Sequence, residues 1–342
     1  MSVSAITYGL AGEALTPDER AFFRDADPWG FTLFARNVST PAQLRKLTDS
    51  LRDLLGRDVP VFIDQEGGRV QRMRPPSWRA APPAARFGAL YDREPELALE
   101  AVHINHQLLG AELIAVGVDV DYAPCADLSV PGAHDVIGDR AFHTQPAPIA
   151  AMASAALAGL LDQGVLGVIK HLPGHGRAGA DSHLELPVVD TSRETLEATD
   201  FAAFSAIEGA LMAMTAHVVY ADIDPDNPAT QSSEIIESVL RGTIGFDGVV
   251  MSDDLSMQAL KGDLGERGAR ASAAGCDLLM HCNGTLSEMV ELAHVAPAMA
   301  GRSAERADMA LAARKAPSDF DSSAAVARLQ ALFEQAGLEL EA

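Results

Sequence analysis

The stretch FDGVVMSDDLSM (246–257) carries the pattern that decides the fold. A short apolar run is followed at once by Ser252 and two acids, Asp253 and Asp254. A run this short and this apolar suits a strand buried on both faces of a parallel sheet. The same shape recurs along the chain. AITYG (5–9), FTLF (31–34), VFI (61–63), VDVDYAP (118–124), GVIK (167–170), LMAMT (211–215), GVVMS (248–252) and DLLMH (277–281) make eight candidate strands. Amphipathic segments lie between them. In TPAQLRKLTDSLRDLLG (40–56), Thr40 is placed to cap a helix and Gly56 to end it. Eight strand–helix alternations predict an α/β fold, a single (β/α)8 TIM-like barrel rather than a doubly wound sheet. The Pro-rich RPPSWRAAPPAARFG (74–88) is expected as a long loop after the third strand. One domain is expected over 1–342, with 316–342 as a C-terminal helical appendage.

Composition narrows the function. The chain has 342 residues and a formal net charge of -22, from 48 acidic against 26 basic residues. Such a surface repels phosphate backbones, so no nucleic-acid partner is expected. Cys125, Cys276 and Cys282 are the only cysteines, and their spacing suits neither a disulfide framework nor a zinc ribbon. The N-terminus shows no basic n-region and no long apolar run, so neither a signal peptide nor a membrane partner is expected. A cytoplasmic location follows as the expectation.

Most of the apolar runs end in an ionisable or amide group. Asp64 follows the third run, and the fourth leads into Asp127. Lys170 and His171 end the fifth, and His217 follows the sixth. Asp253 and Asp254 close the seventh, while His281, Cys282 and Asn283 close the eighth. In a barrel these positions form the C-terminal rim, where catalytic groups gather from several strands. Asp253 and Asp254 should not share one role, because neighbouring strand residues point to opposite faces. A carboxylate at a strand end can attack an anomeric carbon.

KHLPGHGRAGADSH (170–183) holds three histidines, His171, His175 and His183. Pro173, Gly174 and Gly176 rule out a stable helix that would align the first two on one face as zinc ligands. A metal site using His171, His175, His217 and His281 stays open as the competing reading. A general acid asks for less: a histidine oriented by a carboxylate on a mobile segment. Asp181 and His183 supply the pair, and Gly174, Gly176 and Gly179 supply the flexibility. Arg177 is expected to be solvated.

Motifs through nearly the whole chain carry a resemblance. They include WGFTLFARN (29–37), FIDQEGGRVQR (62–72), DVIGDRAF (135–142), KHLPGHG (170–176), DSHLELP (181–187), MTAHVVY (214–220), GVVMSDDLSM (248–257) and AGCDLLMHCN (274–283). In this order they resemble family 3 glycoside hydrolases, and among them the cytoplasmic branch that removes N-acetylglucosamine during bacterial cell-wall recycling. The resemblance implies a retaining exo-acting β-N-acetylglucosaminidase that needs neither metal nor other cofactor. Asp253 would be the nucleophile, His183 the general acid/base and Asp181 its partner. Asp64, Arg72, Arg140, Lys170 and His171 would hold the terminal sugar. The implied partner is a peptidoglycan-derived amino sugar, such as GlcNAc-1,6-anhydroMurNAc with or without peptide. The chain would act as a monomer or weak dimer. Phosphorolysis in place of hydrolysis stays open, because a histidine base repels an anionic acceptor less than a second carboxylate does.

Overall fold

The computed structural model describes residues 3–182 and 184–340. All eight expected strands form and close into one barrel. They are β1 (Ser4–Gly9), β2 (Pro28–Leu33), β3 (Val61–Ile63), β4 (Val120–Asp121), β5 (Leu166–Leu172), β6 (Met212–Thr215), β7 (Val249–Asp254) and β8 (Leu278–His281). Each strand lies parallel to its sequence neighbours, and β8 returns to β1 with Leu279 opposite Ile6. The protein is thus the expected (β/α)8 barrel.

Strand alternation sorts the core into two layers. Phe62, Val120, Val168, Met212, Val249, Met251 and Leu278 belong to the cluster that fills the barrel interior. Val61, Ile63, Ile169, Ala213, Val250 and Leu279 belong to the larger layer between strands and helices. Side chains two apart along a strand share a face. Lys170 therefore continues the inward row of Leu166 and Val168, and Asp253 the inward row of Val249 and Met251. Helix Gly301–Ala312 adds Ala307 and Ala310 to the interior cluster.

Helix Pro41–Leu55 shows how locally this fold is written. The Thr40 hydroxyl accepts the Gln43 N–H at its start, and Gly56 ends it at φ 65°. Cysteines 125, 276 and 282 are all buried and free. The stretch 74–88 is only partly the expected loop, because helix Ala84–Tyr91 begins inside it after Pro83. Helix Ser322–Gln335 lies against helix Pro95–Ala115, with Leu329, Leu332 and Phe333 in the main core. No helix among the described residues is long and apolar enough to cross a membrane.

Candidate active site

The rim of the barrel holds a charged pocket. Asp64, Arg72, Arg140, Lys170, His171 and Asp253 all line it, as does Asp254, and Phe34, Val70, Tyr122, Met214, Met257, Met280, Cys282 and Asn283 complete the wall. Its empty volume is about 610 Å³ with the open mouth included, within the range of small-molecule sites.

The pocket is built around Lys170. Its Nζ lies 2.8 Å from Asp64 Oδ1 and 2.7 Å from Glu66 Oε1. Arg72 Nη2 donates to the other oxygen of Asp64 at 2.9 Å. Arg140 grips Glu66 with two bonds, Nε to Oε2 at 2.9 Å and Nη2 to Oε1 at 2.8 Å. Two carboxylates and three cations thus interleave in a chain. Burial alone would raise the Asp64 carboxyl, but Lys170 and Arg72 hold it well below the usual carboxylate range. Burial pushes Glu66 the same way, Arg140 and Lys170 outweigh it, and its pKa falls to about 2. Burial opposes the Lys170 charge, yet Asp64 and Glu66 hold the ammonium above its ordinary range. The cluster is fully ionised at neutral pH. Asp121 provides the contrast: burial is the main influence on its carboxyl, and its pKa rises to about 8. Arg72 Nε is buried without a partner among the described residues.

Glu66 is a site residue that the sequence reading passed over. The signal was present in FIDQEGGRVQR, because Glu66 stands two residues from Asp64 on an extended chain and so shares its face. Asp127 was noted only as a strand-end acid. It accepts the backbone N–H of His171 at 3.2 Å and of His175 at 2.6 Å, and its Oδ2 lies 2.6 Å from His171 Nδ1. Burial would raise its carboxyl, but His171 and His175 hold it well below the ordinary range. Asp127 thereby fixes the turn after β5 and turns His171 toward the pocket.

Both neighbouring acids line the pocket, but their surroundings differ. Asp253 Oδ1 accepts the Asp254 N–H at 2.8 Å. Asp254 is engaged by four donors: the N–H groups of Ser256 and Cys282, the Ser256 hydroxyl and the Asn283 amide. It ties the end of β7 to the end of β8. Asp181 lies in the loop after β5, where its carbonyl accepts the N–H groups of Leu184 and Glu185. His183 lies outside the described residues.

The competing metal set does not converge. His217 is occupied by Thr230 Oγ1 at 2.7 Å and by the Asp254 carbonyl at 3.0 Å. His281 follows the outward row of β8, its ring 6.3 Å from Tyr8. Among the described residues, Cys125, Asp127 and His171 come close enough to share an ion. Their closeness is accounted for by hydrogen bonds, since Asp127 Oδ2 receives both the Cys125 thiol and His171 Nδ1.

One expectation about the loop needs correction. Arg177 is not solvated: its Nε lies 2.6 Å from Asp200 Oδ2, and Asp200 is fully buried. A guanidinium one short turn beyond β5 finds a buried carboxylate that hydropathy reading could not place. Gly174 and Gly176 also have local reasons to be glycine. A Cβ on Gly176 would sit 1.9 Å from the Leu128 carbonyl oxygen, and one on Gly174 would sit 2.9 Å from Asp200 Cβ. Gly174 in addition adopts a φ of 141°. Gly179 alone of the three stands in open space.

Residues 16–313 match the glycosyl hydrolase family 3 N terminal domain. The chain belongs to glycosyl hydrolase family 3. As a family 3 member it is a glycoside hydrolase, in agreement with the resemblance carried by its motifs. A β-hexosaminidase of Alkalilimnicola ehrlichii is 42% identical over 287 residues, 83% of this chain and 82% of the relative. A β-hexosaminidase of Aromatoleum aromaticum is 40% identical over 282 residues, 81% of this chain and 79% of the relative. Among solved structures, NagZ from Neisseria gonorrhoeae in complex with N-trifluoroacetyl-D-glucosamine superposes with a TM-score of 0.87 at 32% identity. That match covers 97% of this chain and 98% of the other.

Proposed function

We propose that the protein is a retaining exo-β-N-acetylglucosaminidase. It removes the terminal non-reducing β-linked GlcNAc from peptidoglycan fragments such as GlcNAc-1,6-anhydroMurNAc, with or without peptide. Family and relatives make it a β-hexosaminidase; the substrate and mechanism are our reading. One observation carries it: Asp253 lies in the same pocket as Asp64, Arg72, Arg140, Lys170 and His171. Carboxylates accept from paired sugar hydroxyls, and Arg and Lys donate to them, so this lining suits a terminal sugar. A solved relative is described with an N-acylated glucosamine.

In this reading Asp253 attacks the anomeric carbon as the glycosidic bond breaks, forming a glycosyl-enzyme. His183, oriented by Asp181, gives its proton to the leaving oxygen. It then takes one from the water that releases the sugar. A histidine in this role adds no second negative charge beside Asp253. We assign the enzyme to the cytoplasm, as a monomer or weak dimer acting on small amino sugars and not on nucleic acid or membranes.

The test is nitrophenol release from 4-nitrophenyl N-acetyl-β-D-glucosaminide in excess chelator, for the native enzyme and Asp253→Ala. Activity in the first and none in the second is expected, and a 5-fluoro glycosyl fluoride should label the Asp253 peptide. Chelator-sensitive activity restored by zinc, or a label on another residue, would overturn the mechanism.

A further inference from the structure

Between Gly179 and Leu186, Ser182 is the one buried residue among those described. Leu184 is 68% exposed, whereas Ser182 is 2% exposed. Two contacts account for that burial. Ser182 Oγ lies 3.1 Å from His175 Nε2, and the Ser182 carbonyl accepts the Ala259 N–H at 3.3 Å. Ala259 itself is buried and follows Met257, a pocket-lining residue on the segment that leaves β7. Ser182 is therefore pinned between the segments that follow β5 and β7.

His175 is held just as firmly from the other side. Its N–H donates to Asp127 Oδ1, and its ring packs edge-on against His171 at 5.5 Å. Its Nδ1 is buried and has no partner among the described residues, so its one side-chain hydrogen bond there goes to Ser182. A buried ring that leaves one nitrogen unsatisfied is costly, so the bond to Ser182 carries the ring's hydrogen bonding alone among the described residues. Through Asp127, His175 is continuous with the His171 wall of the pocket.

We propose that His175 and Ser182 form a latch that positions the Asp181–His183 segment for proton transfer. This rests on the acid/base reading above. Ser182 stands between Asp181 and His183 in sequence, so its side chain and carbonyl tether the segment that carries the pair. His175 and Ser182 are positioning residues; neither touches the reacting atoms. The closed turn behind the latch, with Leu184 and Glu185 both donating to the Asp181 carbonyl, completes the hold.

Leaving-group dependence tests the latch. When the bond from C1 to the leaving oxygen breaks, its electron pair goes to that oxygen. A phenoxide must be protonated as it departs; 2,4-dinitrophenoxide leaves as the anion. Ser182→Ala should lower kcat/KM for the phenyl N-acetyl-β-glucosaminide by about tenfold or more, a part of what a whole general acid supplies. The 2,4-dinitrophenyl glycoside should lose no more than about threefold in kcat/KM, since its departure needs no acid. Azide should speed turnover of the dinitrophenyl substrate by Ser182→Ala. Its nitrogen bonds to C1 as the Asp253 ester breaks, with no proton to remove. Ser182→Thr, which keeps the hydroxyl, should recover most of the phenyl activity. The double variant His175→Asn with Ser182→Ala should be no worse than the poorer single variant, because both remove one bond.

Equal losses on both substrates, or no loss on either, would overturn the latch. His183→Ala separates the two ideas. If it shows no leaving-group dependence, the acid/base reading fails. If it does while Ser182→Ala does not, only the latch fails.

Discussion

The pocket around Lys170 and the loop around Ser182 are two solutions to holding polar groups in place. In the first, five ionised side chains lock one another, each answered by an opposite charge within 3 Å. In the second, Ser182 is held by one side-chain hydrogen bond and one backbone bond. Asp64, Glu66, Arg72 and Lys170 arise from strand ends and the segments next to them, and Arg140 reaches the cluster from the turn Gly138–Arg140. Near Ser182 the hold is by hydrogen bonds between neutral groups instead of by interleaved charge.

Several measurements sharpen or break that contrast. The largest effect should come from Asp253→Asn, which removes the proposed nucleophile from the fixed side. Turnover should fall by roughly 10⁴-fold, as when one member of a covalent catalytic set is lost. Binding of N-acetylglucosamine, followed by calorimetry, should survive. A variant that loses binding as completely as turnover would mean that Asp253 belongs to the charge cluster instead.

Next comes Glu66→Ala. It leaves Lys170 with one anionic partner and Arg140 with neither of its two bonds to Glu66. Breaking a buried pair costs about 3–5 kcal/mol, and the loss should register in both thermal stability and kcat/KM. A near-native Glu66→Ala would show that the cluster is not the rigid element described. Arg177→Ala exposes the corresponding weakness near the loop, stranding Asp200 in the core. Denaturant titration should show a loss of about 3 kcal/mol, with KM changing little.

Acid should act on buried histidines in both the loop and the helix layer. Burial pulls His175 and His106 down to about 4 from an ordinary 6.5. A folded pKa below the unfolded one gives stability that is present above pH 6.5 and lost as pH falls toward 4. At pH 5.5 each should cost about 1.4 kcal/mol. A melting temperature flat between pH 7 and pH 4.5 would contradict this. The smallest change, Thr40→Ala, removes a helix cap far from the pocket. It should cost about 1 kcal/mol with no effect on catalysis.

Much of this was legible in the residues. Each of the eight apolar runs became a barrel strand, because a strand buried on both faces must be apolar whatever surrounds it. Thr40 and Gly56 bounded their helix because caps act locally. The roles of Asp253 and Asp254 could be separated by strand period alone. Other features were not legible, for reasons of distance. Arg177 finds Asp200 and Glu66 finds Arg140 only once the chain has folded. Gly174 and Gly176 read as freedom in sequence, and the close approach of Asp200 and Leu128, which adds a packing reason for their smallness, comes only with tertiary structure. The helix inside 84–91 was hidden by the prolines that precede it, since Pro83 marks its start and not its absence.

The pocket floor has a kinetic consequence. Tyr122, Met214 and Met280 line the pocket and also belong to the packed interior of the barrel. The chamber is a blind alley, and whatever enters must leave by the same doorway. Under the proposed function, the severed remainder of the substrate would depart first and the detached sugar last. Free N-acetylglucosamine should then compete with incoming substrate, and a long chain would be shortened only from its end, by one unit per visit.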